Sequence, residues 1–518
     1  MRDADALARA AGEALDLARR EPGVIEAEVF VAANATLLAR LSYTSHIPSN
    51  GVEEPKSTEA WGLGIQAVFD TPAGRAIGFG SEPSDLGAEG ARRALDKARK
   101  AAVVDPEFVS LPRPATGASR LRDYHDPALM TLGDDALVDA GWAVIEGALR
   151  TFQSSSVLAA LAGSDEGLRR LGLIVGGDVT VLQERVAIAS TAMPEPQTDE
   201  TTLITAFVTA MVEAHGAKGS GWSTGTRLDD LTDDAGGEAA QHAIAAIGGE
   251  RVRSGRYTIV FGPQPVADLA NNLIVPSCTS ASFYTSSTPF LGKLGQRVAS
   301  PRLSIYDDGA RPRFMGSKGI TCEGLPTGRT DLIRDGVFAG CLSSWYETER
   351  LLRDPAVARK LGASGDAARA ALTPRNGFRF GGAGRQFDMQ PGISASNVVI
   401  EGRDGVSREQ LLREAGDGLY VGRIWYTYPI NGLRAGDFTC TVVGDSYIIR
   451  DGRIAAPLKA NAIRIDDNIT NILDHVIGVT DKPRGTIVWA ADEVVYAPEI
   501  AVRGVRVEAI ADFMEDLR

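Results

Sequence analysis

The chain has 518 residues, 44% of them hydrophobic and 23% charged, with 57 Gly, 25 Pro and a formal net charge of −13. That length suits two to four domains around a large core, and the glycine content favours many turns over long helices. An acidic balance without a basic patch argues against a nucleic-acid partner, and no stretch approaches the roughly 18–20 apolar residues of a membrane span. The four cysteines, Cys278, Cys322, Cys341 and Cys440, form no Cys-x-x-Cys pair, which fits buried thiols in a reducing compartment. The N-terminal run carries acidic residues and lacks the apolar core of a signal peptide, so the expected location is cytoplasmic.

Leu7, Ala11, Ala14, Leu15 and Ala18 recur at helical spacing, and Glu21-Pro22-Gly23 stops the helix they predict. Residues 24–43 alternate like strands, with a break at Ala33-Asn34 that reads as a hairpin. A second strand pair over 60–80 turns at Thr71-Pro72-Ala73-Gly74, and a helix follows from Ser84-Asp85. A third helix spans Asp134 to Phe152, strand-like runs cover 170–192 and 201–215, and a helix over 236–247 is closed by Gly248-Gly249. Helices packed on an antiparallel sheet satisfy this order, giving an N-terminal α+β domain over residues 1–250.

From 251 to 518 the texture is strand-rich and punctuated by glycine. Strands are expected at Tyr257–Phe261, Arg302–Tyr306, 419–428, 437–443, 446–450 and 484–490. Ser407-Arg-Glu-Gln410 is a capping box opening a helix that ends at Gly416 or Gly418. The expected class is therefore α+β, with a mostly β C-terminal domain that carries a few helices.

None of the five histidines, His46, His125, His215, His242 and His475, has another His or a Cys within five residues. A zinc site on one helix needs two ligands about a turn apart, so each reads as a surface or core residue. Acidic pairs at Asp229-Asp230, Asp233-Asp234, Asp307-Asp308 and Asp466-Asp467 abut turns and read as solvated carboxylates. Gly62-Leu63-Gly64 loosely matches a dinucleotide fingerprint, but Ile65 to Phe69 continues as a strand where that motif needs a helix. A Ser/His/Asp triad would assemble only in three dimensions, so sequence spacing does not decide it.

Several C-terminal segments together resemble the TldD/PmbA family, once labelled modulators of DNA gyrase. They are Gly295-Gln-Arg-Val-Ala-Ser-Pro301, Asp307-Asp308-Gly309, Glu323-Gly-Leu-Pro-Thr327, Asp335-Gly336-Val-Phe-Ala-Gly340, Gly418-Leu-Tyr-Val421, Gly436-Asp-Phe-Thr439 and Ile449-Arg-Asp-Gly-Arg453 with Pro457. Their order and spacing carry the resemblance. The stretch from about 345 to 390 matches poorly and reads as a lineage-specific loop.

The resemblance implies a TldD-like branch with His-Glu-x-x-x-His on a helix after a strand ending in Gly-Pro, completed by a C-terminal Cys. Here the strand and Gly262-Pro263 are followed by Asn271, Asn272 and Pro276 at the three motif positions, and no Cys follows Ile477. Pro276 also predicts that the helix ends or bends there. The pattern resembles the PmbA/TldE branch, which implies a non-catalytic subunit without a metal of its own. Zinc is then expected in a TldD-like partner. Family resemblance further implies a shared chamber acting on unfolded peptides or modified peptide precursors, and a homodimer when the chain is alone. Strand addition to an exposed sheet edge is a physical route for holding such a peptide, with Asn431, Gly432, Gly436 and Asp437 as candidate substrate contacts. Asn-Gly at 431–432 equally signals a hairpin turn. The alternatives are a hydrolase with a relocated Ser or Cys, with Cys278 the residue to test, and a regulatory protein that binds peptide without cleavage.

Overall fold

The computed structural model describes residues 3–47, 50–114, 121–381, 384–488 and 493–510. Its first helix, Ala4–Arg20, is capped by the Asp3 carboxylate, which accepts the Ala6 N–H at 2.7 Å. Leu7, Ala11, Ala14, Leu15 and Ala18 are buried on one side of it. The expected hairpin at Ala33-Asn34 does not form. Val24–Thr44 is one strand of 21 residues. Ala33 pairs with Trp61 on one side and Arg185 on the other, and Asn34 with Ala60 and Glu184. The Asn34 amide also donates to the Arg385 carbonyl at 2.8 Å. Continuous pairing on both flanks overrides the local turn tendency of Ala-Asn.

This strand is central in a sheet ordered Val103–Val104, Gly74–Pro83, Lys56–Thr71, Val24–Thr44, Leu173–Ser190, Gln197–Val212 and Ala217–Gly225. The last of these strands was not expected from the sequence. Lys56–Thr71 and Gly74–Pro83 form the expected hairpin at Thr71 to Gly74. Helices Ala4–Arg20, Ala88–Lys100, Asp134–Ser154 and Asp234–Ala245 pack on one face, over odd-numbered residues such as Val29, Val31, Ala39 and Leu41. The even-numbered face is covered in part by Cys322, Phe378 and Phe387, which cluster with Phe30 and Ala32.

The C-terminal half holds two further sheets. The larger one is ordered Arg423–Pro429, Asp437–Gly444, Ile463–Asn468, Ile500–Ala509, Gly255–Phe261, Gly418–Val421, Tyr447–Arg450 and Arg453–Pro457, with Val476–Val479 paired to Ile500–Ala509. The other runs Val337–Phe338, Arg329–Arg334, Leu303–Asp308, Asn397–Gly402, Val494–Ala497 and Arg484–Thr486. Of the strand expected over 484–490 only Arg484–Thr486 forms, and residues 489 and 490 lie outside the described residues. Ser407 caps the helix Arg408–Ala415 as its box predicts, accepting the Gln410 N–H at 3.2 Å. Helices and antiparallel-rich sheets in both halves make the chain α+β.

The segment 345–390 is not a loop. It forms helices Trp345–Arg353, Val357–Leu361 and Gly365–Ala371, then delivers Arg379 and Arg385 into the seam between the halves. Arg385 donates from Nε to Glu184 at 2.7 Å and from Nη1 to Asp199 at 2.8 Å. Lys318 lies 3.2 Å from Glu184, and Tyr124 donates to Asp199 at 2.5 Å. Burial alone would raise the Glu184 pKa, but Arg385 and Lys318 outweigh it and hold the carboxyl well below its usual range. Asp307 is likewise no solvated turn residue. Fully buried, it accepts bonds from the Ser396 N–H and the Asn376 amide at 2.7 Å each.

Candidate functional site: a π turn beside an open sheet edge

Gly255–Phe261 lies between Gly418–Val421, parallel, and Ile500–Ala509, antiparallel. Central pairing fixes its end, so Gly262-Pro263 emerges at a defined place and Pro263 starts a helix where a missing N–H costs nothing. The helix runs Pro263–Leu269, widens to a π turn over Ala270–Ile274, and closes through Val275–Ser277. Pro276 has no N–H for an ordinary helical bond, which suits the widened turn. The helix ends one residue beyond Pro276, at Ser277 with its cap at Cys278, in line with the end or bend that the proline predicts. π winding hydrogen-bonds residues five apart, but Pro276 has no N–H to give the Asn271 carbonyl.

Around this turn the donors are amides and one carboxylate. The Asn272 amide donates to the Asp268 carbonyl at 2.9 Å and to its Oδ1 at 3.2 Å. Burial raises the Asp268 pKa, and hydrogen bonds from the Asn272 and Gln264 amides oppose it. Both polar atoms of the Asn271 side chain are buried without a hydrogen-bond partner. Cys440 is fully buried, its thiol pKa pushed up by desolvation and then by Asp268. Zinc takes imidazole, thiolate or carboxylate ligands in a tetrahedral set. The motif positions supply none of these, and among the described residues no three His, Cys, Asp or Glu side chains converge as a metal site. The residues present do not fit zinc.

The helix packs against Arg423–Pro429, the end strand of the larger sheet. Gln264 covers one backbone position of that edge, accepting the Ile424 N–H at 2.9 Å and donating to its carbonyl at 3.3 Å. Beyond it the pairing slips between Trp425 and Tyr428, with Tyr426 at φ +56°, a left-handed value unusual for a bulky residue. Tyr426, Tyr428 and Ile430 are 72%, 54% and 51% exposed. Tyr426 and Tyr428 on the end strand, with Ile430 just beyond it, leave an exposed apolar strip. Sequence reasoning missed them, although the alternation of Tyr426, Tyr428 and Ile430 was a readable signal.

Asn431, Gly432, Gly436 and Asp437 sit where this strand turns into Asp437–Gly444. The Asn431 amide donates to Asp437 at 3.2 Å, and the Asn468 amide donates to it at 2.9 Å. These bonds, from Asn468 first and then Asn431, lower the Asp437 pKa. Gly432 and Gly436 both have φ of +78°, which only glycine adopts freely. The four residues therefore shape the turn that carries the exposed strand.

The structure also brings together a serine, a histidine and an aspartate. Ser220, on the Ala217–Gly225 strand, donates its hydroxyl to Asp445, while His242 Nδ1 lies 2.8 Å from the Ser220 carbonyl oxygen. A nucleophilic serine must give its proton to the imidazole, and here it gives it to the carboxylate. The group bridges the two halves. Cys278 is fully buried and burial pushes its pKa far up, which leaves no thiolate.

Residues 254–509 match the PmbA/TldA metallopeptidase C-terminal domain. The chain belongs to the TldD/PmbA family. A metalloprotease of Synechocystis is 26% identical over 249 residues, 47% of this chain and 46% of that protein. A metalloprotease of Methanothermobacter thermautotrophicus is 24% identical over 272 residues, 51% of this chain and 52% of its own length. The matched stretch spans about half the length of these curated relatives. TldE from Thermococcus kodakarensis superposes with a TM-score of 0.74 at 19% identity, covering 96% of this chain and all of that one, which establishes a shared fold. The TldD/PmbA fold thus holds the π turn and the open edge side by side. No helix among the described residues is long and apolar enough to cross a membrane.

Proposed function

We propose that this chain is the ligand-free subunit of a TldD/TldE-type metallopeptidase, acting in the cytoplasm with a zinc-bearing TldD-like partner on unfolded peptides or modified peptide precursors. The observation that carries this reading is the pairing of two features. The helix after Gly262-Pro263 presents Asn271, Asn272 and Pro276 where the family resemblance implies metal ligands, and beside it lies an end strand with exposed Tyr426 and Tyr428. An edge strand offers main-chain hydrogen bonds to any extended chain, so it suits substrates without a fixed sequence. The role left to such a site is to hold peptide while chemistry proceeds on the partner.

The test is to purify this chain and a TldD-like protein of the same genome, separately and mixed. Each sample is passed over a sizing column, analysed for zinc and assayed on an unstructured peptide. The expected result is a joint complex, zinc in the partner, and cleavage only in the mixture, with the isolated chain self-associating through its uncovered apolar surface. Cleavage by this chain alone, or near one zinc per isolated chain, would overturn the proposal.

A further inference from the structure

Arg423 begins the open edge strand and is set apart from the other charges of that region. Its guanidinium lies 5.1 Å from the Phe207 ring and 5.7 Å from the Trp425 ring, two aromatic faces that hold it by cation–π attraction. Phe207 belongs to the half-exposed face of the N-terminal sheet, so Arg423 stands where the two halves overhang one another. No hydrogen bond or ion pair to a described residue is made by this guanidinium. Its nearest electrostatic partner, Asp445, has its carboxylate engaged by the Ser220 hydroxyl and by the Ser220 N–H at 3.2 Å. Burial lowers the Arg423 pKa, but an arginine remains charged at any physiological pH. The result is a half-buried cation held between two aromatic rings.

Its position relative to the edge gives it a use. Gln264 occupies the Ile424 backbone N–H and carbonyl, so a strand added along Tyr426 to Pro429 stops there. The end of the added strand then lies next to Arg423. In antiparallel addition that end is the C-terminus, and in parallel addition it is the N-terminus. A guanidinium pairs a carboxylate through two parallel N–H donors and repels an ammonium group.

We infer that Arg423 anchors the C-terminal carboxylate of an extended peptide added antiparallel to the Arg423–Pro429 edge. This rests on the reading of that edge as a peptide-holding site and gives it a direction and an end-group preference.

The experiment uses the full chain and an N-terminally labelled, unstructured hexapeptide prepared as the free acid and as the C-terminal amide, with binding followed by fluorescence anisotropy. Wild type is expected to bind the acid at least about tenfold more tightly than the amide, the scale of one charge-assisted hydrogen bond. Arg423→Gln should bring the acid down to the affinity of the amide while leaving the amide unchanged, and Arg423→Lys should restore part of the preference. The acid–amide comparison on wild type needs no variant, so it stands even if Arg423→Gln fails to fold. Equal affinity for both forms in wild type, or a preference that survives Arg423→Gln, overturns the anchor and leaves the edge reading intact. If neither form binds to the chain or to its complex with the partner, the edge reading fails and the anchor falls with it.

Discussion

Two sheet edges in this molecule are treated in opposite ways. Ala217–Gly225 ends the N-terminal sheet, and its edge is closed by side chains. Glu238 accepts the Trp222 N–H at 3.4 Å, Arg484 donates to the Trp222 carbonyl while stacking 3.8 Å over its ring, and Arg484 and Glu238 pair at 2.7 Å. The Trp222 indole and the Thr224 hydroxyl both donate to the Gly485 carbonyl at 3.2 Å. Arg423–Pro429 ends the C-terminal sheet with the Ile424 backbone covered by Gln264 and with Tyr426 and Tyr428 exposed. An edge left bare is an aggregation hazard that proteins usually blunt. The seam between halves is closed with charges and hydrogen bonds, whereas the C-terminal end strand is blunted only by a bulge at Tyr426, by Gln264 and by Pro429, which has no N–H.

The sharpest way to break that contrast is at the centre of the seam. Arg385→Met leaves Glu184 and Asp199 buried without their guanidinium, and the expected loss of stability is about 3–5 kcal/mol, read as a fall in the urea midpoint. Arg484→Ala opens the sealed edge at Trp222. Because that pair is partly exposed, the expected cost is smaller, about 1–2 kcal/mol, with a rise in self-association on a sizing column as the second readout.

The seam should also respond to pH. Glu323 is buried, accepts the Trp345 N–H at 3.0 Å, and has its pKa raised to about 8 by desolvation first and then by Glu28. A carboxyl whose folded pKa lies above its unfolded value of 4.5 binds more protons when folded, so its contribution to stability falls as pH rises between 4.5 and about 8. Glu323→Gln should flatten that slope, changing stability at pH 8 relative to pH 5 by roughly 3 kcal/mol. An unchanged slope in urea titrations at the two pH values would show that Glu323 ionises freely.

On the open edge the expected change in stability is the smallest. Tyr428→Lys alters an exposed side chain and should shift the unfolding midpoint by no more than about 0.5 kcal/mol. The same change should abolish peptide or partner binding, because a charge on an edge strand opposes pairing. Lost stability with retained binding would reverse the roles assigned to seam and edge.

The amino-acid sequence by itself determined the elements whose pattern is local. The helix over Ala4–Arg20, the hairpin at Thr71 to Gly74 and the Ser407 cap each follow from periodicity or turn chemistry within a few residues. It also determined the absence of imidazole and thiolate at 271, 272 and 276, since no winding of the backbone can supply a missing ligand. Tertiary structure decided what depends on partners distant in the chain. Ala33-Asn34 became mid-strand because two flanking strands needed an unbroken ladder, and residues 345–390 became seam because Arg379 and Arg385 found Glu28 and Glu184. The π turn reflects Pro276 set within a packed helix, and the open edge reflects a strand order in which nothing follows Arg423–Pro429. A sequence states which side chains are available, but an edge exists only when neighbouring strands leave it unpaired, and that is a property of the assembled sheet.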